Sequence, residues 1–473
     1  MTGSAAATPG AGSGRSRARA FLAGFGVAVC AVGAASSSVL VPEDAKMALL
    51  LPTAACAGLI LAALAMTRFA GFVFLILVVR SSIDLIKLGG DTELGLLLTP
   101  STLLAMLFIV AAGLWLVARY RAAGRLPGSG LRRMLVVFLL AALLSTMTAS
   151  RPLYSGAEVL RLLAIVLMFA VLEQLMADGK TMRHCLGAVF LSAAFPVLYT
   201  TVGFALGSPP VEVKGEFARV VGTFTQSNNF GRYLMLLVIV GVAVYPHVRG
   251  KLRVGFTALL GSCMVYLVLT ATLTAILGAF MGLVVVGLKQ SKRVLAAVVV
   301  AAVVVVAAVP SVASRLASVT SETSYADYGG AGGNSLAWRL GYWSELLPLA
   351  NENPLSGIGF GMTEHATAQA KQPHNDYIRA YVEMGFVGLL AYLGLITMMI
   401  RTGLRAARAA REGSLERSVA VGYLGAAVTF AATSFAANEI TNVVLLWYLA
   451  VFAAAASSTL LRAGQSAMIS APK

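Results

Sequence analysis

The feature that most constrains the fold is a series of long, uninterrupted apolar segments. Runs of roughly 18–22 apolar residues recur along the chain, which is the length an α-helix needs to cross about 30 Å of hydrocarbon. Of the 473 residues, 58% are hydrophobic and only 12% are charged. The runs are continuous rather than alternating, which disfavours a transmembrane β-barrel. We therefore predict an all-α, polytopic transmembrane helical bundle of about 12–14 spans, with a long extracytoplasmic loop that carries short helices.

Candidate spans can be placed from one end of the chain to the other. Their approximate bounds are 20–41, 46–66, 69–88, 96–118, 134–149, 157–176, 185–206, 229–246, 254–270, 272–288, 294–311, 378–400, 418–436 and 442–461. The plan is a disordered tail (1–19), N-terminal transmembrane helices (20–311), an extracytoplasmic loop (312–377), C-terminal transmembrane helices (378–461) and a second tail (462–473). The first apolar run has no convincing cleavage signal, so we interpret it as a retained anchor.

The distribution of basic residues predicts the orientation of the bundle. The net charge is +16, with 36 Lys and Arg against 20 Asp and Glu. Most of the basic residues fall in alternate loops and in the two tails, as the positive-inside rule expects of cytoplasmic segments. The charge is therefore a topology signal and a contact with anionic lipid, not an indication of nucleic acid. Both termini are predicted to be cytoplasmic, and segments 207–228, 270–272 and 312–377 to lie outside.

The cysteines give no sign of a metal site or of a disulfide framework. The chain has four of them, Cys30, Cys56, Cys185 and Cys263. All lie in or at the ends of predicted spans, and none lies in the long outer loop. We interpret them as small apolar packing residues.

Two segments of the outer loop have a recognisable local pattern. Residues 336–350 are predicted to form a helix that lies on the bilayer or against the bundle. Its apolar face would consist of Leu336, Leu340, Trp343 and Leu347. The segment PLSGIGFG, 354–361, is predicted to be a compact turn, because a phosphate-binding loop would need a preceding strand and a following lysine.

The main candidate for chemistry is a polar cluster where the outer loop meets a span. The cluster consists of His374, Asn375, Asp376 and Arg379. Ionisable groups at a membrane boundary are costly, so they indicate function by default. An imidazole can take a proton from a hydroxyl near neutral pH, which makes His374 a candidate base. It is preferred to His365 because Pro373 fixes the chain before it and polar residues crowd it.

The same residues also have a structural interpretation. Asn375 or Asp376 suits the N-cap of the span that follows. Arg379 precedes Glu383 by four residues, which is the spacing of an ion pair on one face of a helix. From the residues alone both interpretations stay open.

A second basic cluster occurs in the outer segment before span 229–246. It consists of Lys214, Arg219 and Arg232, with Asn228 and Asn229 at the start of the span. An isolated Arg232 could reach the interface by snorkelling. Alternatively, outward-facing arginines converge on a phosphate, which the planar guanidinium group binds well. Arg161 and Glu158, near another outer boundary, have the spacing of a structural i,i+3 pair.

Three motifs resemble those of the O-antigen ligase and Wzy-type polymerase superfamily. They are GTFTQSNNFGRYLMLL (222–237), AWRLGYWSELLPLANENPLSGIGFG (337–361) and PHNDYIRAYVEMGFVGLLAYLGL (373–395). The resemblance covers roughly residues 200–400. It implies transfer of a glycan from a polyprenyl-diphosphate carrier, such as undecaprenyl diphosphate, to a hydroxyl of a glycan, lipid or protein. It also implies a bacterial cytoplasmic membrane, an active site on the outer face, and no cofactor, nucleotide sugar or metal ion.

The resemblance suggests a role for individual residues. His374 is similar to the family's essential loop histidine, the candidate base. Arg219 resembles one of the arginines that hold the diphosphate, and Arg339 matches the arginine that heads the second motif. The substrate-binding candidates are Arg219, Arg339, Arg232, Arg379 and Asn375. The sequence departs from the family in LTATLTAILGAF (269–280), where Leu273 stands at the position of a further family arginine. Arg232 or Arg379 would have to take the role of that missing arginine.

Two other classes of membrane protein compete with this hypothesis. Glu43 and Asp44 could mimic the acidic first loop of transferases that use polyprenyl-monophosphate sugars, although that loop has only about four residues. A flippase or other transporter of lipid-linked sugars would be expected to show internal repeats and polar, broken spans at mid-membrane. The polar clusters of this chain lie at predicted boundaries instead.

Overall fold

The computed structural model describes residues 56–85, 99–214, 217–308 and 335–470. The predicted N-terminal tail, the span at 20–41 and the acidic pair at 43–44 lie outside these residues. So does the part of the outer loop before residue 335. The described part of the chain is almost entirely helical, which confirms the all-α prediction.

The helices follow one another with short connections. In chain order they are α1 (Cys56–Thr67), α2 (Phe69–Val79), α3 (Pro100–Ala123), α4 (Gly130–Ser145), α5 (Pro152–Leu175), α6 (Gly179–Ser192), α7 (Ala194–Ala205), α8 (Ser227–Val244), α9 (Lys251–Leu269), α10 (Leu273–Gln290), α11 (Lys292–Ala308), α12 (Ser335–Leu346), α13 (Thr363–Ala366), α14 (Asp376–Ala409), α15 (Leu415–Thr433) and α16 (Val443–Ser470). Short 3₁₀ turns occupy Ile83–Leu85, Thr146–Thr148, Tyr245–His247 and Leu347–Asn351. The one described sheet is an antiparallel hairpin of β1 (Val211–Lys214) and β2 (Phe217–Val220).

Nine helical segments in the described residues are long and apolar enough to cross a membrane. They include α6 and α7 taken together as Gly179–Ala205, and the long helix Asp376–Ala409. The span predicted at 378–400 is therefore two residues longer at its start and nine at its end. These helices establish a multi-pass membrane protein.

The connections at one end of the bundle contain the predicted outer turns. Thr272 and Asn442 belong to two such connections, and their side chains donate hydrogen bonds to Asn228 and Asn229 in the first turn of α8. We call this end, which carries 207–227, 270–272, 354–376 and 434–442, the His374 end. The other end, with the turns 124–129, 245–250 and 410–414, is the opposite end.

Small residues allow α8, α10 and α15 to pack closely. A Cβ added to Gly282 would lie 2.4 Å from Ile239 Cδ1, and one added to Gly425 would lie 2.7 Å from the Gly282 carbonyl oxygen. Thr429 Oγ1 donates to the Gly278 carbonyl at 2.9 Å. Small side chains and interhelical hydrogen bonds are the typical means of packing helices in lipid, where no hydrophobic force acts between them. The three helices form the rigid base of the His374 end.

Helix α14 is interrupted at Gly385, and the glycine-rich turn fills the interruption. Gly385 has φ 63° and ψ −162°, a conformation that is essentially restricted to glycine. The N–H of Phe386 donates to the Pro354 carbonyl, and the N–H groups of Ile358 and Gly359 donate to carbonyls in the last turn before the break. The broken helix is thus paired with the turn backbone, as backbone groups within a membrane protein must be. The compact turn predicted at 354–361 therefore packs on α14.

Alanine at position 385 is expected to destabilise this junction. The unfavourable backbone conformation alone costs about 1–3 kcal/mol, and the added Cβ would lie 2.4 Å from the Leu355 carbonyl carbon. Gly413→Ala is the matched control, because Gly413 has φ 70° but open space around it. Thermal unfolding in detergent should show a larger loss of stability for Gly385→Ala. Equal losses would show that the contact with the turn does not contribute.

Candidate functional site

His374 lies in a short connection that is held on three sides. Its backbone has φ 52°, a left-handed conformation that histidine adopts more often than most residues. The Trp343 indole donates to the Pro373 carbonyl at 2.7 Å and fixes the preceding residue. Asn438 Nδ2 lies 2.9 Å from His374 Nδ1. The imidazole is therefore oriented through its Nδ1 side.

Helix α12 supports this connection through a face that differs from the predicted one. Trp338, Tyr342 and Leu346 are buried, whereas Leu340 and Leu347 are exposed. The Tyr342 hydroxyl donates to the Lys371 carbonyl at 2.5 Å, and burial raises the pKa of this phenol, so it stays a neutral donor near pH 7. The prediction of the packed face was wrong because the aromatic residues bind the return segment of the loop rather than lipid.

The segment around His374 is joined to the turn that precedes α16. The backbone N–H of Asp376 donates to the Ser434 carbonyl at 2.8 Å. In return, the fully buried Asp376 Oδ2 accepts from the N–H groups of Glu439 and Ile440 at 2.9 and 3.3 Å. These paired contacts hold the 434–442 turn beside His374.

Arg232 reaches the same turn from α8. Its Nη1 lies 3.5 Å from the Asn438 carbonyl oxygen, and its Nε lies 3.4 Å from Glu439 Oε1. Both side chains are buried, and within the described residues neither Arg232 Nε nor the Glu439 carboxylate oxygens make a hydrogen bond. The contact is thus an ion pair with unused donors and acceptors. Asn438 connects it to His374, because its side chain contacts the imidazole and its carbonyl faces the guanidinium.

Arg219 lies in a β-hairpin that precedes α8 and that the sequence analysis had not predicted. Arg219 in β2 is directly opposite Glu212 in β1, so the two side chains share one face of the hairpin. Glu212 Oε1 accepts from the backbone N–H and the hydroxyl of Ser227, the first residue of α8. Arg219 is buried, and its Nε has no hydrogen-bond partner among the described residues. No described hydrogen bond or ion pair joins it to His374 or Arg232.

The predicted helix cap and ion pair are both present at Asn375 and Arg379. Asn375 Oδ1 caps α14 by accepting from the N–H groups of its second and third residues. Arg379 Nε donates to Glu383 Oε2 at 3.0 Å, and both side chains are buried. Glu383 also accepts from the N–H of Gly361 and from the Thr363 hydroxyl. The pair thereby fixes the glycine-rich turn on α14.

The other predicted residues lie further from the cluster. Arg339 is half-buried in α12, next to Trp338, whose ring is 6.1 Å from that of His374. His365 packs edge-on against Tyr154 at the start of α5, with ring centroids 4.6 Å apart. The predicted Arg161–Glu158 ion pair is present in α5.

Four helices begin at this site. They are α8, α10, α14 and α16. Each helix N-terminus carries the equivalent of about half a positive charge, so their convergence favours an anion. Side chains of Glu212, Asn375 and Asn442 already cap first-turn amides of three of them. What these helices contribute to the site is therefore mainly positive potential, because side chains already occupy first-turn N–H donors of three of them.

The last outer turn contributes residues that were not predicted from the sequence. Asn438, Glu439 and Asn442 all make contacts at the His374 end. A signal was present, because three polar residues fall in a short connection between apolar runs, on the side where the charge pattern places His374. Their spacing gives no indication of which partners they contact.

Part of the chain is similar to a known family. Residues 256–393, less than a third of the chain, match the O-antigen ligase family, Wzy_C. The match confirms the resemblance to the O-antigen ligase and Wzy-type superfamily, and with the helical architecture it supports a membrane protein of the glycan ligase and polymerase class. No curated protein matches the chain.

The ligase domain includes only part of the site. It begins in α9 and ends within α14, so it contains His374, Arg339 and Arg379. Arg232 on α8 and Asn438 before α16 come from outside the matched range. The site is therefore assembled from the ligase domain, from α8 before it in sequence, and from the turn between α15 and α16 after it.

Proposed function

We propose that this protein transfers a glycan from a polyprenyl-diphosphate carrier to an acceptor hydroxyl at the outer face of the bacterial cytoplasmic membrane. The observation that carries the proposal is that Asn438 contacts both the His374 imidazole and the Arg232 guanidinium. A base and a cation thus lie at one turn, where helix N-termini converge. That combination suits a reaction in which a hydroxyl loses a proton while a diphosphate leaves with negative charge.

In the proposed reaction His374 Nε2 takes the proton of the acceptor hydroxyl. The acceptor oxygen forms a bond to the anomeric carbon, and the bond between that carbon and the diphosphate oxygen breaks with inversion. The electron pair leaves with the polyprenyl diphosphate, whose charge the arginines and helix N-termini stabilise. The donor is already activated, so positioning and electrostatics provide most of the catalysis.

Arg232 and Arg219 are assigned to the donor diphosphate. A Cβ added to Gly231 would lie 2.9 Å from Thr270 Oγ1 and 3.2 Å from Thr272 Cβ. Arg232 therefore starts beside the turn that leads into Leu273, the position at which the family has an arginine. We assign it as the replacement for that arginine. Arg379 and Asn375 are assigned the role of positioning the loop and α14. Arg339, on α12, is assigned to binding the donor.

Asn438 is assigned as the residue that sets the tautomer of His374. In the structure the amide nitrogen of Asn438 faces Nδ1, and its Oδ1 is buried without a hydrogen-bond partner among the described residues. We propose that in the reacting enzyme this amide is turned over, so that Oδ1 accepts from the Nδ1–H group and Nε2 carries the lone pair that acts as the base. With the amide nitrogen at Nδ1, Nε2 carries the hydrogen instead. Asn438→Asp offers only an acceptor and is expected to keep activity. Its negative charge favours the imidazolium ion, so the acid limb of kcat/KM should move to higher pH.

Asn438→Leu is the companion variant, because it offers neither a donor nor an acceptor. We expect its turnover to fall at least about tenfold, within the range of acid–base contributions. A purely structural role would instead lower the stability of both variants without moving the pH profile. An inactive Asn438→Asp beside a fully active Asn438→Leu would contradict the assignment.

The proposed function is tested by reconstitution in liposomes with a polyprenyl-diphosphate oligosaccharide and an acceptor glycan, with and without EDTA. We expect transfer that EDTA does not inhibit. In the described part of the chain, no group of three or more His, Cys, Asp or Glu side chains is placed to hold a metal ion. Metal-dependent transfer would reject the mechanism. A donor that crosses the bilayer unchanged would indicate a transporter, and use of a polyprenyl-monophosphate sugar would indicate the other transferase class.

A further inference from the structure

A cavity lies at the opposite end of the bundle. Its volume is about 250 Å³, and it opens between the last turns of α10 and α14 and the first turns of α15. Its lining residues are Lys289, Leu404, Ala407, Arg408, Arg417, Val421 and Leu424. Helices α10 and α14 begin at the His374 end, so their full length separates this cavity from the ligase site.

The cavity has an apolar floor and a basic rim. Val421 and Leu424 are buried, whereas Lys289 and Arg408 are exposed. Arg417 lies 3.1 Å from Glu412, a strongly exposed carboxylate. One acid therefore faces three cations, and an anion in the cavity would meet a net positive charge. The positive N-terminal end of α15 adds to this potential.

We propose that this cavity binds the phosphate headgroup of an anionic glycerophospholipid. Lys289 and Arg408 lie in the last turns of two membrane-spanning helices, which is the depth of lipid headgroups. The volume is below the range of about 300–1,000 Å³ usual for sites that enclose a whole small molecule. A headgroup fits, and the acyl chains remain outside the cavity. The neighbouring Leu288 is 67% exposed and offers an apolar surface to them.

The site differs from the general attraction of basic loops for anionic membranes. Basic pockets between transmembrane helices bind individual headgroups, whereas scattered cations provide a diffuse potential. Arg125, Arg249 and Lys251 are exposed basic residues at the same end that do not line the cavity. Like the rim, this set consists of two arginines and one lysine. They provide a charge-matched control.

The test is native mass spectrometry of the full-length protein in detergent, titrated with phosphatidylglycerol or with phosphatidylcholine of the same acyl chains. We expect the protein to retain phosphatidylglycerol preferentially. Each basic side chain contributes about fivefold to the binding of anionic lipid. The variant Lys289→Gln/Arg408→Gln/Arg417→Gln should therefore lose roughly a hundredfold in affinity, and Arg125→Gln/Arg249→Gln/Lys251→Gln less than about fivefold.

Three results would overturn the proposal. They are equal binding of the two lipids, equal losses in the two triple variants, and displacement of phosphatidylglycerol by millimolar inorganic phosphate, which would indicate a site for the free ion. Thermal unfolding of each variant reports whether it is folded. The single variant Arg408→Gln, at an exposed position, keeps the test valid if the triple variant is unstable. The result does not depend on transferase activity.

Discussion

His374→Ala is expected to lower glycan transfer by about 10²–10⁴-fold, the usual contribution of a general base. Asn438 orients the imidazole through Nδ1, and Nε2 is the atom that we propose takes the proton of the acceptor hydroxyl. The measurement is initial rate in liposomes at saturating donor. Binding of the donor should change little, because the imidazole acts on the acceptor.

The control for this prediction is His184→Ala. His184 is exposed near the start of α6, at the opposite end of the bundle, and lies outside the proposed machinery. It should retain the rate of the unmodified protein. His374→Ala must also unfold at a temperature close to that of the unmodified protein for its loss of rate to be chemical. A folded His374→Ala protein with full activity would remove the histidine from the mechanism.

Arg232→Gln is expected to lower transfer by about 10²–10³-fold, as for the loss of one group that stabilises developing charge. It also leaves Glu439 buried without its ion-pair partner, which costs about 3–5 kcal/mol. One substitution therefore cannot separate a binding role from a structural role. The double variant Arg232→Gln/Glu439→Gln removes both charges and is expected to restore most of the stability, since neither partner is then left charged and buried.

The two roles of Arg232 give opposite results in the double variant. If Arg232 binds the diphosphate, the double variant is folded but stays inactive. If it only neutralises Glu439, activity returns with stability. Glu439→Gln alone should keep or improve donor affinity, because a diphosphate then competes with no carboxylate for the guanidinium. Recovery of full transfer in the double variant would contradict the assignment.

The sequence was sufficient for those features that depend on local patterns. Apolar runs of helical length determine spans, because a backbone in lipid must satisfy its own hydrogen bonds. The N-cap at Asn375 and the Arg379–Glu383 pair are contacts within one helix, and their spacing was enough to suggest them as one of two interpretations. The family motifs indicated the ligase class, and the domain match confirmed it.

Contacts between segments that are distant in the sequence could not be predicted from local patterns. The turn at 354–361 gave no sign that it fills the break at Gly385, since both are ordinary glycine-containing stretches until their backbones meet. Helix α12 packs through Trp338 and Tyr342 because the loop returns over it, which a periodicity of apolar residues does not encode.

By itself, the sequence determined that the chain is a helical membrane protein. It also determined where a histidine and several arginines lie relative to the spans, and which family the chain resembles. Only the tertiary structure decided which of those arginines reach the turn that contacts the histidine. It brings Arg232 and Asn438, more than 200 residues apart in the chain, to one turn. It turns Arg379 towards Glu383 instead. The physical reason is that side-chain pairing across helices depends on how the helices pack, whereas span formation depends only on hydrophobicity and length.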